Sequence, residues 1–308
     1  MPGAYTHITM ANEASERIAM EQRDLPPAAI TACNKWLKYC ELGAVSPDLP
    51  YLQRNSSAAS RWADTMHYKA TDAVIRNVIA QLRDGPMSAS EKQRGLAWLL
   101  GYTAHVVMDC TMHPVVNLRV GDYATHMTEH RICEMNQDVF IFDRLQLSVE
   151  LSEHLDEGLA ACRIDGTLDP TIVTLWSNAL KETHGVDFTA NPPNPGTWHS
   201  WFAKAVDVSD GAGIFRAIAR HVAPGLGLIY PTFGAVDRSY IDDLPTPTGQ
   251  VMSFTALFEK AKSHVHETWR VVARGALGLD ETYQTILQHC DLDSGKNLSG
   301  ELVFWQGS

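Results

Sequence analysis

Apolar residues recur at helical spacing along most of the chain, and strict alternation of apolar and polar residues is scarce. The pattern predicts amphipathic helices over residues 8–23 and 27–42, the second opening on Pro26-Pro27 and stopping at Gly43. A third covers 67–83 and ends at Asp84-Gly85-Pro86. The capping-box pattern Ser88-x-x-Glu91 then opens a long central helix toward Pro114 and Val116. Further helices are expected over 125–144, 148–162, 170–182, 198–206, 252–273 and 280–289, with a Gly- and Pro-rich irregular excursion over 224–249. No repeat of fixed period interrupts this order. The expectation is an all-α, multi-helix bundle.

The central helix is unusual because its apolar residues lie nearly all round it, marking burial on several sides. Residues 96–116 are apolar enough to suggest a membrane span, but His105, Asp109 and His113 interrupt them, so a buried helix is the better reading. At 3.6 residues per turn these three sit one turn apart on a single face. A carboxylate in an apolar setting is either neutralised or matched by a cation. Two imidazoles beside it make a metal the natural cation, the plain alternative being a core helix whose His and Asp bond each other. A second stripe, His130, Glu134 and Asp138, repeats the one-turn spacing, with His126 one turn earlier. Two antiparallel helices can aim both stripes into one cleft.

Composition is that of a globular protein long enough for a full core, with 45% apolar and 20% charged residues. With 36 acidic against 25 basic residues, the net charge of −11 disfavours a surface that tracks nucleic-acid phosphates. The first residues show early acids and no continuous apolar run, so no signal peptide is read and a cytoplasmic location is expected, or a secreted one if the sequence starts after a removed signal. The six cysteines lack C-x-x-C spacing and are expected to be reduced thiols in helices.

Taken in order, the segments Thr-His7-Ile-Thr-Met-Ala-Asn-Glu-Ala, Gly-Ala-Val-Ser-Pro-Asp48-Leu-Pro, Met-His67-Tyr-Lys-Ala-Thr-Asp, the central stripe and His130-Arg-Ile-Cys-Glu134 resemble the zinc-dependent phospholipase C family, whose fold is shared with single-strand-specific zinc nucleases. The resemblance covers roughly residues 1–145. It implies a metal-binding catalytic core there, with residues 146–308 a C-terminal helical part packed on it within the same globular unit. It also implies three zinc ions in a cleft between helices. Asp48, His67, His105 and Asp109 would hold one, His113, His130 and Glu134 a second, and His7 and Asp109 the third, with Asp109 bridging. In the family the N-terminal amine and carbonyl also serve as ligands.

Nitrogen and oxygen donors without thiolates suit catalytic zinc, and clustered ions lower the pKa of a water enough to give hydroxide near neutral pH. The implied reaction is attack of that hydroxide on the phosphorus of a phospholipid or related phosphoester, with Asp48 orienting or deprotonating the water. Asn117 and Asp138, one turn beyond His113 and Glu134, are expected to orient histidines. The four-residue step from Asp109 to His113 resembles the branch that includes the glycosylphosphatidylinositol-specific phospholipase D catalytic domain. Leu49 and Asp64 stand where choline-binding members carry aromatics, so the resemblance does not extend to choline. The expected partner is a phospholipid or small phosphoester, with transient contact to a membrane surface and no nucleic acid.

Two alternatives stand beside this one. A nuclease or phosphomonoesterase on the same scaffold would use Tyr51, Trp62, Trp98, Trp198 and Trp201 for stacking. A non-catalytic helical zinc-binding protein would close its metal site with four protein ligands. His264 and His266, two residues apart, fall on different helix faces and are expected to pack or to face solvent.

Overall fold

A computed structural model describes residues 3–53, 55–145, 158, 161–207 and 231–306. Thirteen α-helices and two short hairpins are found among these residues. The chain is all-α, as the hydrophobic periodicity predicts. The helix expected over 148–162 and the apolar start of the 224–249 excursion lie almost wholly outside the described residues.

Helix α7 (Ala89–Val120) is the axis of the fold. Both halves of its capping box are made, Glu91 N to Ser88 Oγ and Ser88 N to Glu91 Oε2, fixing its first turn. From Gly95 to Val116 every residue is buried, which the all-round apolar pattern required. Around it pack α1 (Ala4–Ala14), α3 (Pro27–Lys35), α4 (Leu37–Val45), α6 (Thr71–Asp84), α8 (Met127–Phe142), α9 (Pro170–Thr183) and α12 (Phe254–Ala276). On α12, the amphipathic pattern buries Trp269, whose indole N–H donates to the Leu100 carbonyl of α7. The remaining helices are α2 (Arg17–Gln22), α5 (Ser57–Tyr68), α10 (Gly185–Ala190), α11 (Pro195–Asp207) and α13 (Tyr283–Ile286).

Helices α4 and α7 meet backbone to backbone. A Cβ at Gly101 would collide with the Cys40 carbonyl, and one at Gly43 with the Trp98 carbonyl. Only glycine at both positions permits this approach. One consequence is that the Ala44 carbonyl, at the end of α4, reaches the face of α7 that carries His105.

Four expected helices change their bounds. The helix over 8–23 is two helices, with α1 closing at Ser15 and α2 opening after Glu16. The helix over 27–42 breaks at Trp36, whose φ of −126° and ψ of 38° separate α3 from α4. His67 belongs to the end of α5 rather than to the start of the next helix, because Lys69 is extended and Ala70 adopts a left-handed φ of 47° before α6. The helix over 280–289 shrinks to α13. Two hairpins, β1 (Arg163–Ile164) with β2 (Thr167–Leu168) and β3 (Leu244–Pro245) with β4 (Val251–Met252), were not anticipated. The first turns on Asp165-Gly166, both at positive φ, which is a recognised hairpin dipeptide. No helix among the described residues is long and apolar enough to cross a membrane.

Candidate metal centre

His105, Asp109 and His113 line one stripe of α7 and are sealed from solvent. Each histidine commits its Nδ1 to a backbone carbonyl, His105 to Ala44 at 2.9 Å and His113 to Leu292 at 2.5 Å. Those carbonyls accept only from an N–H, so the tautomer is set and Nε2 is left with a free lone pair. Both Nε2 atoms are buried without a hydrogen-bond partner, as are both carboxylate oxygens of Asp109. So many orphaned acceptors at one place are costly unless a cation gathers them.

Other elements bring further donors to the same volume. His7, on α1, stacks on His105 with ring centroids 4.1 Å apart. Its Nε2 lies 3.3 Å from Asp109 Oδ1, while His105 Nε2 lies 3.3 Å from Asp109 Oδ2. Asp48 sits in a 3-10 turn (Ser46–Leu52) directly after α4, where Pro47 and Pro50 hold the chain in a tight coil. His67, in the last turn of α5, gives Nδ1 to the Ala63 carbonyl at 2.7 Å and presents Nε2 to Asp48 Oδ1 at 3.3 Å. The result is two overlapping groups, His7–His105–Asp109 and Asp48–His67–His105, the ligand atoms of each lying within 4.8 Å of one another.

These distances test the fit to zinc. Tetrahedral zinc with bonds of about 2.0–2.1 Å separates neighbouring ligand atoms by roughly 3.3 Å. The three contacts between imidazole nitrogen and carboxylate oxygen fall at that value. The donor set is nitrogen and oxygen, all but Asp48 fully buried, with the tautomers of His67 and His105 fixed from behind. The residues fit.

The second stripe is less gathered. On α8, His130 and Glu134 are buried, with Nδ1 of the histidine 3.8 Å from Glu134 Oε1. His130 gives Nε2 to the Gly121 carbonyl at 2.6 Å, so the nitrogen it presents is Nδ1. His126 is exposed and bonded to Thr125, which leaves His130 as the inward residue of that pair. Among the described residues, His113, His130 and Glu134 do not form a compact group of three ligand atoms.

Electrostatics follow from burial and from neighbouring charge. Desolvation alone would raise the Asp48 carboxyl, but His105 and then His67 outweigh it and hold it below the usual carboxylate range. Asp109 is depressed in the same way, burial being overcome first by His105. Burial lowers His67, yet the bond to Asp48 and its charge outweigh that and lift the imidazole to about 9. His113 goes the other way, pushed down to about 4 chiefly by burial.

A segment near the C-terminus completes the surround. Leu292 gives its carbonyl to His113 and its N–H to the carbonyl of His67 at 3.0 Å, touching two histidines at once. Asp293 follows, with Oδ1 3.8 Å from His113 Nδ1 and Oδ2 accepting from the Tyr68 hydroxyl at 2.7 Å. Gly295, at a φ of +69°, lies flat on Pro114 and the Cys110 carbonyl, where a Cβ would collide. A disulfide between Cys110 and Cys290 ties the segment to α7. This corrects the expectation that every cysteine is a thiol. Residues 180 apart in sequence meet only through tertiary packing, which spacing alone does not reveal. Cys33, Cys40, Cys133 and Cys162 are buried free thiols.

Two expected supporting residues act elsewhere than on a histidine. Asn117 donates to the Asp293 carbonyl at 2.7 Å, so its link to His113 runs through the C-terminal segment. Asp138 accepts from the Thr6 N–H and hydroxyl, holding the first turn of α1 one residue before His7. The proposed stacking aromatics are mostly unavailable. Trp62, Trp98 and Trp198 are buried, the last two packed against Trp176 in the core. His266 is buried and bonded to the Ala14 carbonyl. The N-terminal amine lies outside the described residues.

No curated protein and no solved structure matches the chain. A family model described as zinc dependent phospholipase C matches residues 6–188, a span that begins one residue before His7 and contains every expected metal ligand. The chain belongs to the zinc-dependent phospholipase C family.

Proposed function

We propose that this protein is a zinc-dependent hydrolase that cleaves a phosphodiester in the manner of a phospholipase C, acting on a phospholipid or a related small phosphoester. The observation that carries the reading is Asp109. It is fully buried, lacks a hydrogen bond on either oxygen, and lies 3.3 Å from a different imidazole on each side. A carboxylate so placed is left for a cation to satisfy, and in this reading it would be the ligand shared by two of them. In this reading Asp48, His67, His105 and Asp109 would hold one zinc, His113, His130 and Glu134 a second, and His7 and Asp109 a third. When bound, zinc supplies Lewis acidity that polarises phosphoryl oxygens and lowers the pKa of a water.

The chain's own residues do the rest. Asp48 is the partly exposed member of the cluster, its side chain 14% accessible, so it faces whatever enters. Held ionised by His105 and His67, its carboxylate accepts a hydrogen bond from the attacking water, orients it and passes its proton on to solvent. The water oxygen bonds to phosphorus, the bond from phosphorus to the alcohol oxygen breaks, and the leaving alcohol takes its proton from solvent. The backbone bonds to His67, His105 and His113 keep each imidazole in one orientation throughout. The net charge of −11 and the burial of Trp62, Trp98 and Trp198 support a small phosphoester over a nucleic acid. Contact with a lipid surface would be transient.

The test is a panel of phospholipid, small phosphodiester, phosphomonoester and single-stranded oligonucleotide substrates, run on wild type and Asp109→Asn. Phosphodiester hydrolysis should be present in wild type and fall about 10²–10³-fold in the variant, as for loss of a principal electrostatic group. An Asp109→Asn protein with full activity and full metal content would sink the assignment.

A further inference from the structure

We propose that Asp293 is a positioning residue of the metal centre, a carboxylate that backs His113 from outside the span matched by the family. The inference rests on the reading of His113 as a metal ligand. His113 Nδ1 donates to the Leu292 carbonyl at 2.5 Å, and Asp293 Oδ1 lies 3.8 Å from the same nitrogen. A carbonyl and a carboxylate together around one N–H polarise the ring and make Nε2, the atom without a partner, a stronger donor to a cation. The carboxylate is itself held in place. Tyr68 donates to Oδ2 at 2.7 Å, and Asn117 donates to the Asp293 backbone carbonyl at 2.7 Å.

The surrounding segment is anchored on both sides of this residue. Before it, Cys290 is joined to Cys110, the residue after Asp109, and the Cys290 N–H and carbonyl both bond the Thr71 hydroxyl. Beyond it, Gly295 lies against α7, and the Trp305 indole donates to the Thr111 carbonyl. A segment serving only to cover the core has no need of a carboxylate at the back of a buried imidazole. Among the expected metal ligands, the one in ion-pair contact with Asp293 is His113.

The experiment is zinc titration of metal-free full-length wild type, Asp293→Asn and Asp293→Ala against a chromophoric chelator, with cobalt substitution as a spectroscopic readout. The amide variant keeps the shape and removes the charge; the alanine variant removes every side-chain hydrogen bond. Both should lose roughly 10–100-fold in affinity for one ion while the remaining ions bind as in wild type. The cobalt absorption of that site should shift, and the metal-free Asp293→Asn protein, which keeps an acceptor for Tyr68, should melt as wild type does. Unchanged affinities and spectra overturn the inference. So does a uniform loss at all sites accompanied by a lower metal-free melting temperature, which marks a purely structural role. Wild type that takes up no zinc overturns the metal reading and this inference with it, whereas zinc-binding wild type with unaffected variants overturns this inference alone.

Discussion

Asp48 is the point at which an otherwise sealed cluster meets its surroundings, since His7, His67, His105 and Asp109 are all fully buried. If it is the base, Asp48→Asn should lower kcat by about 10²–10⁴-fold with a smaller change in KM. Steady-state kinetics on metal-replete protein decide this, and a change confined to KM would reassign Asp48 to binding. The same residue sets a pH dependence. Beside Asp48, His67 is lifted to about 9 in the metal-free protein, so it carries a proton at neutral pH that a metal must displace. Apparent zinc affinity should therefore rise with pH through the neutral range and level off above about 9, with proton release detectable by calorimetry in buffers of different ionisation enthalpy. Affinity independent of pH between 6 and 9 would contradict that coupling. The ligand stripe of α7 was legible in the sequence because polar residues at one-turn spacing stand out on a helix apolar all round. Asp293 was not legible. It lies in a stretch without periodicity, and its partner His113 is distant in sequence, so no local pattern marks it.

At the scale of elements, the placement of the site depends on how closely α4 approaches α7. Gly43 and Gly101 let the two backbones touch, and the Ala44 carbonyl that orients His105 comes with that contact. Gly101→Ala should cost about 1–3 kcal/mol through overpacking, since the helices must separate. Thermal denaturation measures the cost, and metal affinity should fall with it because the bond from Ala44 to His105 is strained. A variant with unchanged stability would show that the helices separate freely. Most helices were predicted, because 3.6-residue periodicity and the capping box at Ser88 are local signals, but none was expected over Ser57–Tyr68 or Gly185–Ala190. The breaks at Ser15–Glu16, Trp36 and Lys69–Ala70 were missed because apolar periodicity continues across them. What ends each helix there is a turn of the backbone imposed by packing. The hairpin at Asp165-Gly166 did carry a local signal, but two-residue strands are too short to show alternation.

For the molecule as a whole, the site is assembled from distant parts of the chain. His7 comes from α1, Asp48 from the turn after α4, His67 from α5 and three residues from α7, while Leu292 and Asp293 close the back from beyond the family span. A bound metal that the unfolded chain lacks adds directly to folding free energy, so such a centre fastens the fold as well as serving chemistry. Ion-pair contacts support the same arrangement at longer range. Arg144 and Lys262 both reach Glu13, at the end of the helix that bears His7. A clustered zinc site that hydrolyses phosphodiesters is tested by metal content and phosphodiesterase activity of the same purified protein before chelation, after chelation and after zinc is returned. The expected result is two to three zinc ions per chain, activity lost with them and restored by zinc, and a lower melting temperature in the stripped state. Protein that carries no zinc, or whose hydrolysis survives complete removal of it, is not a zinc-dependent phosphodiesterase.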